Sequence, residues 1–215
     1  MNPGPHIGDF PAIIHLLPSD FLLLPEGALP LIFREPPFAE LVEAAVATTG
    51  YAGVVLPREE AGPTRFQSVG CLARLRHVAR DDEGVHVTLE GVIRFRIREE
   101  LPMDGEPLPR AAVSYEEFGH DLSVAEEDLS GWNLEAMKDM LVEFGRRQFG
   151  TAGVLEVLTA RQVVRFLAQT APLSTTERQA ILEARGFREM LEMLMKLLAL
   201  NFLTTTPDSE QPQVN

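Results

Sequence analysis

The stretch Phe66–Glu99, FQSVGCLARLRHVARDDEGVHVTLEGVIRFRIRE, constrains the fold more than any other part of the chain. Its second half places Val85, Val87, Leu89, Gly91, Ile93, Phe95 and Ile97 at odd positions. The even positions are His86, Thr88, Glu90, Val92, Arg94, Arg96 and Arg98. A period of two, with one apolar and one mostly polar face, predicts a half-buried strand. The first half repeats the pattern more weakly, with Val69, Cys71, Ala73 and Leu75 on one side and Arg74 and Arg76 on the other. Asp81-Asp82-Glu83-Gly84 reads as the turn between them. A three-residue loop, Asp82 to Gly84 with Gly84 left-handed, puts Asp81 opposite Val85, Leu75 opposite Gly91 and Cys71 opposite Phe95. That register brings both apolar sets to one face and sets Arg76 opposite Glu90, an attractive cross-strand pair. The arginines then form a wet outer face balanced by Glu90 and Glu99. Gly91 marks a place where another backbone or a large side chain comes close.

The segments before the hairpin add short strands and one helix. Ile13–Leu17 and Phe21–Leu24 are apolar runs around Pro18-Ser19-Asp20. Pro25-Glu26-Gly27 is a turn in which Gly27 takes the positive φ. Leu29–Phe33 follows as a strand, and Pro30 assigns it to an edge or a bulge. Pro36 and Pro37 open a helix whose apolar face is Phe38, Leu41, Val42, Ala45 and Val46, ending near Gly50. Tyr51–Leu56 is a further strand, Arg58–Arg65 and Leu101–Arg110 are loops, and Arg110–Phe118 supplies one more strand.

After Phe118 the signals become helical. His120–Gly131 is an acidic connector. Leu134, Met137, Leu141 and Phe144 share one helical face. Thr159 and Gln162, then Ser174 and Glu177, form capping boxes in front of two further helices, the first ended by Pro172. Gly186 closes the second, and Phe187–Phe202 carries Leu191, Leu194, Met195, Leu198 and Phe202 on a last helix. The expected division is a β-rich subdomain over 1–119, a helical bundle over 120–203, and disorder over 204–215 and the Pro/Gly-rich first residues.

Charge and special residues narrow the function. The formal net charge of −13 divides into −8 for residues 1–119 (10 basic, 18 acidic) and −5 for 120–215 (9 basic, 14 acidic). A surface of that sign repels phosphate backbones and anionic lipid. The single cysteine, Cys71, excludes an intrachain disulfide and a thiolate cluster, and sits on an apolar strand face as a small buried hydrophobe. The N-terminus lacks the pattern of a signal peptide, and no apolar run approaches a membrane span, so a cytoplasmic location is expected.

Three segments together resemble the N-terminal substrate-recruiting domain of Lon proteases, which also occurs as a stand-alone protein. Leu16–Phe38, LLPSDFLLLPEGALPLIFREPPF, is similar to the family's opening strand, Pro-Gly turn and L-P-L-x-I-F-E-P segment. Val69–Ile97 resembles its G-x-x-A-x-I hairpin and G-x-x-R-F-x-I strand. Phe166–Leu198 resembles its L-P-L-x-x-x-E-K-Q-x-L-L-E signature and the helix that follows. Glu26 is inserted in the first turn, Phe38 replaces the usual Tyr, and Arg178 stands where Lys is common. The resemblance implies an α+β fold: a PUA-like β pseudo-barrel of about six strands plus one helix, packed against a small α-helical bundle.

Catalytic signals are missing. There is no G-x-x-x-x-G-K-[ST] for a P-loop. The only lysines, Lys138 and Lys196, lie on amphipathic helices and suggest no Ser–Lys dyad. His6, His15, His77, His86 and His120 have no ligand spacing. The acid pairs Glu59-Glu60, Asp81-Asp82 and Glu116-Glu117 read as solubility. The expectation is a non-catalytic module without ATPase or protease domains, with no catalytic, cofactor or metal residue. By the resemblance it binds unfolded or flexible protein segments. An adaptor or regulator of a separate protease is the alternative, and an RNA-binding PUA-like role comes after that, disfavoured by the acidity. An extended segment would add to a strand edge or lie between barrel and bundle. Phe33 and Phe38 fit buried periodic positions better than a contact surface, so the binding residues are left open.

Overall fold

The computed structural model describes residues 5–58, 64–103, 109–122, 133–149 and 156–204. Six strands form one sheet: β1 (Ile13–Pro18), β2 (Ala28–Phe33), β3 (Tyr51–Val55), β4 (Val69–Asp81), β5 (Gly84–Leu101) and β6 (Arg110–Ser114). The order is β2-β5-β4-β3-β1-β6, and β6 pairs with β5 as well. That extra pairing closes β5, β4, β3, β1 and β6 into a ring and leaves β2 outside it. The length of β5, 18 residues, makes this possible. One edge of β5 runs along β4. The other is shared, with β2 on Val85–Glu90 and β6 on Arg96–Leu101. The architecture is the α+β pseudo-barrel with helices expected from the sequence.

Register is where the hairpin departs from expectation. The turn has two residues, Asp82 and Glu83, with Asp81 opposite Gly84, although Gly84 does take a positive φ of 138°. Leu75 faces Leu89, Cys71 faces Arg94 and Arg76 faces Thr88. The two-residue turn displaces the pairing by one residue, and two bulges then alter it, the first adding a further step and the second taking it back. His77 and Val78 stand against Val87 alone, with His77 left-handed at φ 52°, and Val92 is an extra residue between the pairs Ala73–Gly91 and Leu72–Ile93.

The second bulge changes which face the strand presents. Paired residues share a face and neighbours alternate, so Gly91 and Ile93 point to opposite sides of the sheet. Val85, Val87 and Leu89 therefore pack with Ala39, Val42, Ala45, Cys71 and Ala73, while Ile93 and Phe95 join a larger cluster. The unbroken odd-position pattern of the sequence conceals this switch because both faces are buried there. Arg94, placed on the wet face by the sequence, is 1% exposed. Arg76 still meets Glu90, at 3.3 Å, but diagonally.

Helix α1 (Pro36–Thr48) begins with two prolines that lack N–H groups, which a first turn does not use, and buries Val42 and Ala45 against the sheet. Among the described residues four helices follow the barrel: α2 (Leu134–Phe149), α3 (Ala160–Thr170), α4 (Thr175–Glu183) and α5 (Phe187–Thr204). Both capping boxes form: the N–H groups of Thr159 and Ser174 donate to Gln162 and Glu177, whose own N–H groups donate back to the hydroxyls. Gly186, expected to close α4, instead opens α5, its carbonyl accepting from Met190 N–H. Leu141, Phe144, Val163, Leu167, Ile181, Leu191, Leu194 and Leu198 bury themselves with Ile14, Leu16, Phe95 and Phe118 in one cluster. The strand expected over Arg110–Phe118 ends at Ser114. A 3-10 helix, Glu116–Leu122, kinked at Phe118, takes over and absorbs the first residues of the expected connector. The rest of that connector (123–131) and 205–215 of the expected tail lie outside the described residues.

Candidate functional site

The open edge of β2 is the feature of this fold most suited to holding another chain. Among the described residues β2 pairs with β5 alone. Its hydrogen-bond phase follows from one contact at its start. Gly91 N–H donates to Gly27 C=O at 2.9 Å, so the Gly27 carbonyl points at β5. Direction alternates along an antiparallel strand, so Leu29, Leu31 and Phe33 also turn their N–H and C=O groups inward, and Ala28, Pro30 and Ile32 turn theirs outward. Pro30 falls on an outward position, where a missing N–H costs no sheet bond. Outward-facing strand groups are a template for a further strand.

The side chains complete the site. Leu29, Leu31, Phe33 and Phe38 are half-buried against the smaller core cluster. Phe33 and Phe38 stack with ring centroids 5.8 Å apart and planes 10° from parallel. With Pro18, Ile32, Arg34 and Glu35 they line a cleft of about 350 Å³ beside the edge, and Phe33 and Arg34 also line a recess of about 160 Å³ towards Gly84 and Arg80. Ile32 is 39% exposed. Phe33 and Phe38 thus pack on the core cluster, in line with the periodicity, and also form the wall of the cleft. The signal that could have found this was Pro30, which points to an edge.

Close approach locks β2 to β5. The turn before β2 has Gly27 N–H donating to Leu24 C=O, with Glu26 and not Gly27 in the left-handed region at φ 60°. Gly27 is needed for contact instead, because a Cβ there would lie 2.9 Å from the backbone Leu24 O. The turn seats on Gly91, where a Cβ would stand 2.1 Å from Leu24 O. Gly91 does receive another backbone, as expected, though it faces Ala73 and not Leu75. Glu26 reaches Arg165 of α3 at 2.5 Å, so the inserted residue ties the turn to the bundle.

The residues with chemical potential elsewhere are structural in their surroundings. Cys71 is fully buried, and burial, with Asp121 adding repulsion, pushes its thiol far above the ordinary range, away from nucleophilic use. Asp81 accepts from Glu83 N–H at 2.8 Å and lies 2.9 Å from His86; the first of these contacts is the main reason its carboxyl is held below its usual value. Among the described residues no three His, Cys, Asp or Glu side chains converge as a metal site requires, and no helix is long and apolar enough to cross a membrane.

The sequence profile of the ATP-dependent protease La (LON) substrate-binding domain matches residues 13–199. The chain belongs to this family. It is 26% identical over 196 residues to the Lon protease of Methylocella silvestris, covering 87% of this chain and 24% of that one. The chain thus spans about a quarter of the length of that relative. Its fold matches a Lon N-terminal domain protein from Xanthomonas campestris, with a TM-score of 0.59 at 24% identity over 86% of this chain and 97% of that one. It also matches the N-terminal domain of Mycobacterium avium complex Lon protease, with a TM-score of 0.59 at 17% identity, covering 87% and 98%.

In this Lon-type domain the arginine of the G-x-x-R-F-x-I strand, Arg94, is the joint between barrel and bundle. Its Nε and Nη2 donate to the two oxygens of Asp121, at 2.9 and 2.7 Å. Its Nη1 donates to the carbonyls of Leu182, at 3.0 Å, and Ala184, at the C-terminal end of α4. Its guanidinium lies 4.7 Å from the Phe118 ring centroid. One cation thus neutralises a buried carboxylate and caps the negative end of a helix dipole. Next to it, Arg96 forks onto Glu117 at 2.6 and 2.8 Å, a hydrogen bond that holds the Glu117 carboxyl below its usual value. Glu117 is therefore a strap, where its sequence context suggested only solubility.

Proposed function

We propose that this domain is a non-catalytic binding module for unfolded or extended protein segments, serving ATP-dependent proteolysis, and that such a segment adds as a strand to the outer edge of β2. Family membership supports substrate binding. The single observation that carries the placement is the open edge of β2, with outward N–H groups on Ala28 and Ile32 and outward carbonyls on Ala28, Pro30 and Ile32 beside an aromatic-walled cleft. Main-chain hydrogen bonds would give affinity for any extended sequence, and the Phe33–Phe38 wall would favour a large apolar side chain. In this reading the 1–119 half carries the binding edge and the 120–203 half braces it through the Arg94 joint.

Titrating the domain with a reduced and alkylated, permanently unfolded protein tests the reading by fluorescence anisotropy. Saturable binding that weakens in Phe38→Ala is expected. Equal affinity for the folded and unfolded forms of the probe would overturn it.

A further inference from the structure

Pro30 stands at the middle of the outer edge of β2, with one outward residue on either side, Ala28 and Ile32. Its ring carbon Cδ occupies the place of the missing N–H hydrogen. A carbonyl set at hydrogen-bond distance from that nitrogen, about 2.9 Å, would lie roughly 1.5 Å from Cδ, far inside van der Waals contact. β2 is too firmly held to yield to such a clash. It pairs with β5 at every residue from Ala28 to Phe33. Its first turn is locked by the bonds from Glu26 N–H to Gly91 C=O and from Gly91 N–H to Gly27 C=O, at 2.8 and 2.9 Å. The carbonyl brought opposite Pro30 must therefore turn away instead.

Whether it can turn depends on what arrives. In a flexible segment one peptide plane rotates out as a bulge, and the pairs with Ala28 and Ile32 still form. In the edge strand of a folded sheet the same carbonyl is fixed by its own neighbours. A second copy of this chain is the extreme case. Closed pairing of two β2 strands is antiparallel about a twofold axis, and the register that uses all three outward residues sets Pro30 against its counterpart, ring to carbonyl twice. A slip of two residues sets each ring against the carbonyl of Ala28 or Ile32, and the remaining registers leave a single pair. β4 provides the contrast. From Arg76 to Asp81 its outer side also carries no strand among the described residues, but the His77–Val78 bulge, with His77 at φ 52°, breaks that edge for any partner. We propose that Pro30 makes the β2 edge selective for flexible segments over preformed strand edges, including that of a second copy of this chain. Such selectivity rests on strand addition at β2, as proposed for the function, and explains why a folded protein is passed over.

Pro30→Ala restores an outward N–H and removes the ring without touching a β2–β5 bond. Sedimentation velocity and amide hydrogen exchange of the intact protein, each over a range of concentration, read the filter. In the native protein, exchange at Ala28 and Ile32 should not depend on concentration. Pro30→Ala should self-associate, with exchange at Ala28 and Ile32 slowing severalfold as concentration rises. Adding Ile32→Pro to Pro30→Ala returns a ring to the edge and should abolish that gain, as read at Ala28. Affinity of Pro30→Ala for the alkylated unfolded protein should rise by no more than about tenfold, the worth of one hydrogen bond. Association of Pro30→Ala no stronger than that of the native protein, up to the highest soluble concentration, would overturn the filter. So would a native protein whose Ala28 and Ile32 are protected by self-association to the same degree. If neither protein binds the unfolded probe, strand addition fails and the selectivity with it; if both bind it and neither self-associates, the filter alone fails.

Discussion

The two halves of β5 have opposite fates. From Arg94 onward the strand is enclosed: β6 takes its edge, the 3-10 helix crosses it, and α4 rests its C-terminal carbonyls on Arg94. From Val85 to Glu90 its edge carries only β2, whose own outer edge faces no further strand among the described residues. Gly91 and the bulge at Val92 separate the halves. Closure in this fold is thus made by side-chain and terminal groups specific to one place, while the open half offers main-chain groups that any extended sequence can use. A domain that grips segments of varied sequence needs both: a rigid joint and an unspecific edge.

The largest test of the closed half is Arg94→Ala. It leaves the Asp121 carboxylate, 7% exposed, without its cation and strips two carbonyls of their donor. Removing one partner of such a buried pair costs about 3–5 kcal/mol, read as the shift in urea midpoint. Arg94→Lys should recover only part, because an ammonium cannot fork onto Asp121 and reach Leu182 together. A loss below about 1 kcal/mol would place the pair among surface ion pairs and break the contrast between the halves.

Gly91→Ala acts at the boundary. The added methyl meets Leu24 O at 2.1 Å, too close for side-chain relief because the obstacle is backbone, so the Pro25–Gly27 turn must lift from β5. The expected cost is about 1–3 kcal/mol, and hydrogen exchange at Glu26, whose N–H donates to Gly91 C=O, should quicken with it. A stable variant with unchanged exchange at Glu26 would show that the turn is not what holds β2 in place.

How much of this was legible in the sequence depends on the element. The hairpin, both capping boxes, α1 and most of the strand segments followed from period, turn chemistry and caps, because these are local. Register did not, because the turn has two residues where three were expected and the bulges at His77 and Val92 leave no mark in an alternation that continues through them. The burial of Arg94 followed from the same slip: an arginine inside an alternating strand looks solvent-facing until an extra residue turns it inward. The candidate edge was half legible. Pro30 named it, but its phase required the Gly91–Gly27 contact, 64 residues apart in the chain.

The buried core also has a pH signature. Burial raises the Cys71 thiol, so the native state holds this proton more tightly than the unfolded chain does. That contribution is complete below the unfolded thiol value and is lost as pH rises above it. Stability should therefore fall by about 1.4 kcal/mol per pH unit above about pH 8.5, with buried Tyr115 adding a second loss above about pH 10. Cys71→Ala should flatten the slope between those two values in urea melts; an unchanged slope would mean that other groups set it.

The smallest expected effect on the fold is the sharpest test of the open half. In Ile32→Pro the lost N–H is one that points outward, so no β2–β5 bond disappears, and stability should change by about 1 kcal/mol or less. An added strand would lose that donor and meet the pyrrolidine ring, a change of about 0.5–1.5 kcal/mol for the bond alone, or up to about tenfold in affinity for the unfolded probe. Leu31→Pro, one residue away, removes an inward N–H and should unfold β2 at a cost of about 3 kcal/mol. The two neighbours differ in the phase derived from Gly27 and Gly91 and in burial, since Leu31 packs on the smaller core cluster and Ile32 is exposed. If Ile32→Pro destabilised the domain and Leu31→Pro did not, that phase would be reversed, and Ala28, Pro30 and Ile32 would no longer be the residues presented to a bound chain.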